Sequence, residues 1–268
     1  MFVHAALCVI ALSLPASGGI TPATSNGGSS RGRIIDDAPE IAKLVDAYQH
    51  SLRSRTGGRG RDMQGALAAL LELDRLFSRS GPNDRERIVQ NVVLGFDRLD
   101  TNHPDQRGFL ISAAKAMADM GPESVQPLTE LVVDRKVEAD AALHRQLILS
   151  LGRTRHVDGL KVLQGLLHHE DSGIEAASAE ALGEFRYQDQ ERRKELFYLL
   201  LGRLLDEKGL VEQDDFNLTA RRRYDTIVGA ITTSLQRLSG LDEHDPEAWQ
   251  RFWNKNKNKP WKAVTLGA

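Results

Sequence analysis

The residues of this chain best equipped for chemistry are basic and aromatic, and they crowd its C-terminal end. From Trp249 onward the charged side chains are Arg251, Lys255, Lys257, Lys259 and Lys262, with no acidic residue among them. With Trp249, Trp253 and Trp261 interspersed, such a stretch could track a phosphate backbone and stack on bases. The plainer reading is a set of core-closing aromatics followed by a solvated basic tail. Arg221-Arg222-Arg223 invites the same nucleic-acid reading, and more simply forms an exposed helical face. The tract Arg55-Thr56-Gly57-Gly58-Arg59-Gly60-Arg61 is one short Arg/Gly copy and reads as a loop between two helices. A formal net charge of −2 supplies no global pull toward nucleic acid or anionic membrane. Nucleic acid is therefore the disfavoured partner.

Other candidate chemistry is sparse. His168-His169-Glu170 contains a His-Glu pair of a kind that can ligate metal, but reads as an exposed helix end. Asp100-Thr101-Asn102-His103-Pro104-Asp105 resembles a calcium loop only superficially. It lacks the glycine at the sixth position, and Pro104 occupies a ligand position. Asn217-Leu218-Thr219 is a glycosylation sequon only in a eukaryotic source. Nothing resembles a phosphate loop, a nucleophile elbow or a Ser/His/Asp arrangement. The single cysteine, Cys8, lies in the first apolar run, so the chain beyond it has neither a disulfide framework nor a Cys-based zinc site. No catalytic, cofactor-binding or metal residue is assigned.

The elements that would have to position such groups begin with an apolar run, Ala5 to Leu14, followed by Pro15-Ala16-Ser17-Gly18. About 10 residues is too short for a membrane-spanning helix, which needs about 20. The run matches the core of a secretory signal with small residues after it, so residues 1–18 are expected to be a signal peptide. The segment Met1 to His4 departs from that pattern in carrying no Lys or Arg, and a buried N-terminal helix is the alternative. Residues 19–38, rich in Gly, Ser and Thr, read as a flexible leader. A periplasmic or secreted protein without a membrane span in its mature chain is the expectation.

From Pro39 the pattern turns helical. Ile41, Leu44, Val45, Tyr48 and Leu52 form one stripe of a helix. A second helix follows from Ala66 to about Phe77, Gly81-Pro82 breaks the chain, and a third carries Ile88, Val92, Val93 and Phe96. Hydrophobic residues make up 41% and aromatic ones 6%, so the core is built from Leu, Ala, Ile and Val. No strand-like alternation of useful length occurs, and the expected fold class is all-α. Then a repeat emerges: Gly121, Gly152 and Gly183 stand 31 residues apart, each behind an apolar helix and preceded by Met120, Leu151 and Leu182. Each glycine is expected to end its helix in the left-handed conformation. Second helices are expected over Val125 to Asp134, Val157 to Leu167 and Arg192 to Asp206. Glu207 to Leu218 reads as an insertion lengthening a loop, and Ile227 to Leu238 as a further helix. Asp245 can cap the last one, Pro246 can take its first position, and Trp249 and Trp253 can close the exposed end of the core.

A period near 30 with two helices per unit implies an α-solenoid of stacked antiparallel helix pairs. The Leu-Gly-terminated helix, short turn and Leu-rich second helix resemble HEAT repeats, most closely the short variety of phycobilin lyases. The Leu-Ser-Gly, Asp-Pro and Trp-x-x-x-Trp sequence at the C-terminal end resembles exported planctomycete HEAT-repeat proteins. The resemblance implies a repeat domain over residues 39–258, a basic tail over 259–268 and a non-enzymatic scaffold for an unidentified protein partner, with no cofactor. Some proteins of this class are enzymes, either bilin lyases or a hydroxylase with His-Glu pairs repeated across its helices. A step of 31 from His169-Glu170 lands on Glu138-Ala139 and on Leu200-Leu201, so no such set repeats here.

Overall fold

Short acceptor side chains and prolines set the helix starts. The computed structural model describes residues 36–53, 61–214 and 216–262. The expected signal peptide, nearly all of the leader, most of the Arg/Gly tract and the tail from residue 263 lie outside the described residues. Asp140 accepts from the amides of Ala142 and Leu143, at 3.1 Å each. Asp171, 31 residues on, does the same for Gly173 and Ile174 at 2.7 and 3.3 Å. Asp62, Asp189 and Asn217 cap three more helices. Each such side chain satisfies amides that the helix itself leaves unpaired.

Twelve α-helices result among the described residues, and no strand. They are α1 (Pro39–Arg53), α2 (Met63–Phe77), α3 (Pro82–Arg98), α4 (Pro104–Met117), α5 (Val125–Val132) and α6 (Arg135–Glu138). The rest are α7 (Ala141–Thr154), α8 (Leu160–Leu166), α9 (Ser172–Gly183), α10 (Gln190–Gln213), α11 (Leu218–Ser239) and α12 (Pro246–Asn256). Helix packs on helix throughout. One row runs α2 against α4, α4 against α7, α7 against α9, and α9 against α11. The intervening helices lie alongside it, with α1 and α3 on α2, α5 on α7, α8 on α9 and α10 on α11. The predicted stripe of α1 is buried at Ile41, Val45, Tyr48 and Leu52. In the middle of the row α9 is buried on nearly every side, from Ile174 to Gly183.

The three spaced glycines do not share the one role expected of them. Only Gly121 is left-handed, at φ 65°. Gly152 lies inside α7, whose left-handed cap is Arg155, three residues later, and Gly183 is the last residue of α9. Both serve close approach between neighbouring helices of the row. A Cβ on Gly152 would stand 2.5 Å from the Ala181 Cβ and 2.8 Å from the Ala181 carbonyl oxygen of α9. On Gly183 it would stand 2.5 Å from Ser234 Oγ and 3.1 Å from Ser234 Cα of α11. Gly152→Ala is therefore expected to destabilise by about 1–3 kcal/mol through overpacking, although alanine favours helix. Gly202→Ala, within α10 and with nothing within 4 Å of its would-be Cβ, is expected to stabilise by about 0.5–1 kcal/mol. Urea unfolding of the two variants checks the contrast.

The expected insertion is mostly helix. α10 continues to Gln213 and only a short turn precedes α11. Charged residues from Glu207 onward hid this, and the reason is packing: Glu207 is buried, not looped out.

Candidate functional site

One face of α3 presents Pro82, Glu86, Val89, Gln90 and Val93, at the i, i+4, i+7, i+8 and i+11 spacing that keeps side chains in register on a helix. Opposite stand Pro122 and Glu123, in the 3-10 turn before α5, and Gln126, Pro127 and Glu130 of α5 itself. Between them lies a groove of about 680 Å³. Val93 and the prolines give it an apolar part, Val89 lies buried beneath, and its charged lining is acidic throughout. Gln90 Nε2 donates to Glu86 at 3.0 Å, and Gln126 Nε2 donates to Glu130 at 2.9 Å. One N–H of each amide is thus engaged within its helix by one oxygen of the neighbouring glutamate. Arg85 is the nearby cation, but it is drawn toward the end of α2. Its guanidinium donates to the Phe77 and Ser78 carbonyls at 3.2 Å each and lies over the Phe77 ring. It reaches Glu123 Oε1 only at 3.8 Å, and Glu123 Oε2 is buried without a hydrogen-bond partner.

The C-terminal end is an aromatic cluster. Asp245 accepts from the Glu247 and Ala248 amides at 3.3 and 3.0 Å, Pro246 takes the first helical position, and α12 then delivers Trp249 fully buried. The Phe197 ring of α10 meets Trp249 edge-on at 5.6 Å, stacks with Trp253 at 5.8 Å and meets Trp261 edge-on at 5.2 Å. Tyr198 covers Trp253 further. The chain after α12 is tied down here too: the Trp261 amide donates to Gln190 Oε1 at 2.6 Å, and Arg193 donates to the Lys262 carbonyl at 2.9 Å. Lys255, Lys257 and Lys259 point to solvent while the tryptophans face the core. The basic and aromatic residues are therefore not interleaved on one surface.

A third feature went unread in the sequence. Glu175 (α9), Arg203 and Glu207 (α10) and Arg223 (α11) form a buried network of two carboxylates and two guanidiniums. Arg203 pairs with Glu175 at 2.5 Å and with Glu207; Arg223 pairs with Glu207 at 3.1 Å and with Glu175. Arg223 also donates to the Glu170 and His169 carbonyls at 2.8 and 2.6 Å. Burial opposes the charge of Arg203, yet hydrogen bonds and the charges of Glu175 and Glu207 outweigh it and raise its pKa above the ordinary arginine value. Of the Arg221–Arg223 run, then, the first two are exposed and the third is part of this network. His169 is not a free helix end either: its Nδ1 accepts from the Asp171 amide at 3.0 Å and its ring meets His144 edge-on at 6.0 Å. Burial, and then the neighbouring His169, lower the His144 pKa below the usual histidine value. The Arg203–Glu207 spacing of four residues was a signal for the network. Its long-range members, 48 residues apart at Glu175 and Arg223, gave none.

The Asp100 loop closes on itself, with Asp100 Oδ1 accepting from the Asn102 amide at 2.9 Å. Among the described residues no group of three or more His, Cys, Asp or Glu is placed to hold a metal ion, and no helix is long and apolar enough to cross a membrane. Fold and surface together define an all-helical protein of packed helices. Comparison with protein-family models, with curated proteins and with solved structures gives no match.

Proposed function

We propose that this protein is a non-enzymatic binding scaffold, a HEAT-like α-solenoid exported from the cytoplasm to engage a protein partner. The observation that carries the reading is the groove between α3 and α5, lined by Val93, three prolines and three glutamates with no cation in its lining. The row from α2 to α11, with small residues at successive contacts and capping aspartates one period apart, supports the solenoid. Repeat units of this kind gain stability from their neighbours and leave an extended surface for recognition. The aromatic cluster at α12 suits a terminal lid. The signal-like N-terminus supports export.

The test is capture from native envelope extracts. A specific protein is expected to be retained by the wild-type chain and lost when Glu86 and Glu130 are changed to glutamine. Absence of any partner together with reproducible turnover of a small molecule overturns the reading. For export, the native protein is expected to begin near Gly18 on N-terminal sequencing; an intact Met1 removes that part.

A further inference from the structure

We propose that the turn between α8 and α9, residues 167–171, is a proton-operated latch, which lets go of the body when His169 and His144 take up protons at mildly acidic pH. His169 Nδ1 accepts from the Asp171 amide at 3.0 Å. An imidazole nitrogen accepts only while it is bare, so this bond exists only with His169 neutral and its proton on Nε2. A proton on Nδ1 sets two N–H groups against each other. His144, on α7, meets the His169 ring edge-on at 6.0 Å. It is 1% exposed, and its Nε2 is buried without a partner. A charged His144 puts an N–H with no acceptor at that atom, beside a second imidazole.

The surroundings oppose charge on the pair. Burial, and then His169, hold the His144 pKa below the usual histidine value; Glu138 of α6, the Val132 carbonyl of α5 and Asp171 pull the other way and are outweighed. Asp140, just before α7, is engaged by Arg107 of α4 at 2.8 Å. Glu175 of α9 and Glu207 of α10 are engaged by Arg203 and Arg223. The other titratable side chains of the turn, His168 and Glu170, are exposed. A histidine that the fold holds neutral contributes stability above the usual histidine value, and the contribution is lost as the pH falls through it. The turn is also weakly held by its own chain, since the His168 amide reaches the Gly165 carbonyl only at 3.5 Å. Arg223 donates to the His169 and Glu170 carbonyls at 2.6 and 2.8 Å. When the turn leaves, Arg223 keeps both carboxylates. The ion network therefore strands no charge, and the opening stays local, taking with it the Asp171 cap of α9.

Hydrogen exchange on the full chain, corrected for the intrinsic pH dependence of exchange, tests this at about pH 7.5 and about pH 5.5, within the range where histidine changes charge. Protection from Leu167 to Glu175 is expected to fall by about ten-fold or more, because each proton taken up on opening raises the open fraction by about ten-fold per pH unit. α2 and α12 are expected to keep their protection. In His169→Asn the side-chain oxygen can stand where Nδ1 stands and takes no proton, so most of the response is expected to disappear while the turn is retained. His168→Asn, on the exposed neighbour, is expected to respond as the wild type does. Ring-proton NMR titration of the wild type needs no variant: His144 is expected to titrate below the usual histidine value. An equal loss of protection in His169→Asn overturns the proposal, since carboxylates would then be responsible. So does protection lost evenly along the chain, no loss at all, or a His144 ring that titrates as an exposed histidine does. None of these outcomes depends on whether the surface binds a partner, so the latch and the scaffold reading stand or fall separately.

Discussion

Arg223→Leu is expected to cost about 3–5 kcal/mol, the penalty for breaking one side of a buried ion network. The side chain serves four acceptors: Glu175, Glu207 and the carbonyls of His169 and Glu170. Leucine leaves all four short of a donor in a region where Glu175 is wholly buried and Glu207 nearly so. Arg203 cannot compensate, since it already bridges both carboxylates. Urea unfolding followed by circular dichroism reads the loss. The converse experiment separates this cost from the worth of the charges themselves. Replacing all four residues by apolar ones of similar volume is expected to cost less than Arg223→Leu alone, because no charge is then stranded. If the fourfold variant were the less stable, the network would be contributing net stability.

Trp249→Ala is expected to cost a similar amount, about 3–5 kcal/mol, from lost burial and the cavity left behind. Trp249 is fully buried, and Phe197 and Phe252 lean on it. Trp249→Phe is expected to cost much less. The indole Nε1 is buried without a partner, so phenylalanine removes an unsatisfied donor as well as some volume. All three tryptophans of the chain belong to this cluster. Tryptophan fluorescence therefore reports the C-terminal end, whereas circular dichroism reports every helix. Coincident transitions in the wild type, and a fluorescence transition running ahead in Trp249→Ala, are the expected pair of results.

The all-helical class was legible because apolar residues at helical spacing, with Gly and Pro between them, leave little else for the chain to form. α1 was plain for a further reason: it buries a single face, and so its stripe stands out. Asp245 was legible because it accepts from amides two and three positions on, and Pro246 because its fixed backbone angle suits a first helical position. What failed was non-local. The need for glycine at 152 and 183 comes from Ala181 and Ser234 in the next helix, and an apolar helix followed by glycine looks the same whether the glycine turns the chain or lets a neighbour in. Glu207 to Gln213 read as a loop because a buried carboxylate violates the pattern by which helices are recognised, and its partners lie on other elements. The groove was invisible for the same reason. Its two walls are separated by a whole helix, and Glu86 and Glu130 have no relation in sequence.

The network around Glu175 also bears on where the row of helices could accept an insertion. At the seam between α7 and α9 the closest approach is made by uncharged small residues, Gly152 against Ala181. The junction of α9 with α10 and α11 accepts no such newcomer, because Glu175 finds its counter-charges only when Arg203 and Arg223 arrive together. A unit inserted at that point would bury a carboxylate alone. The chain thus tolerates no inserted helix between Glu175 and its two arginines without stranding a buried charge.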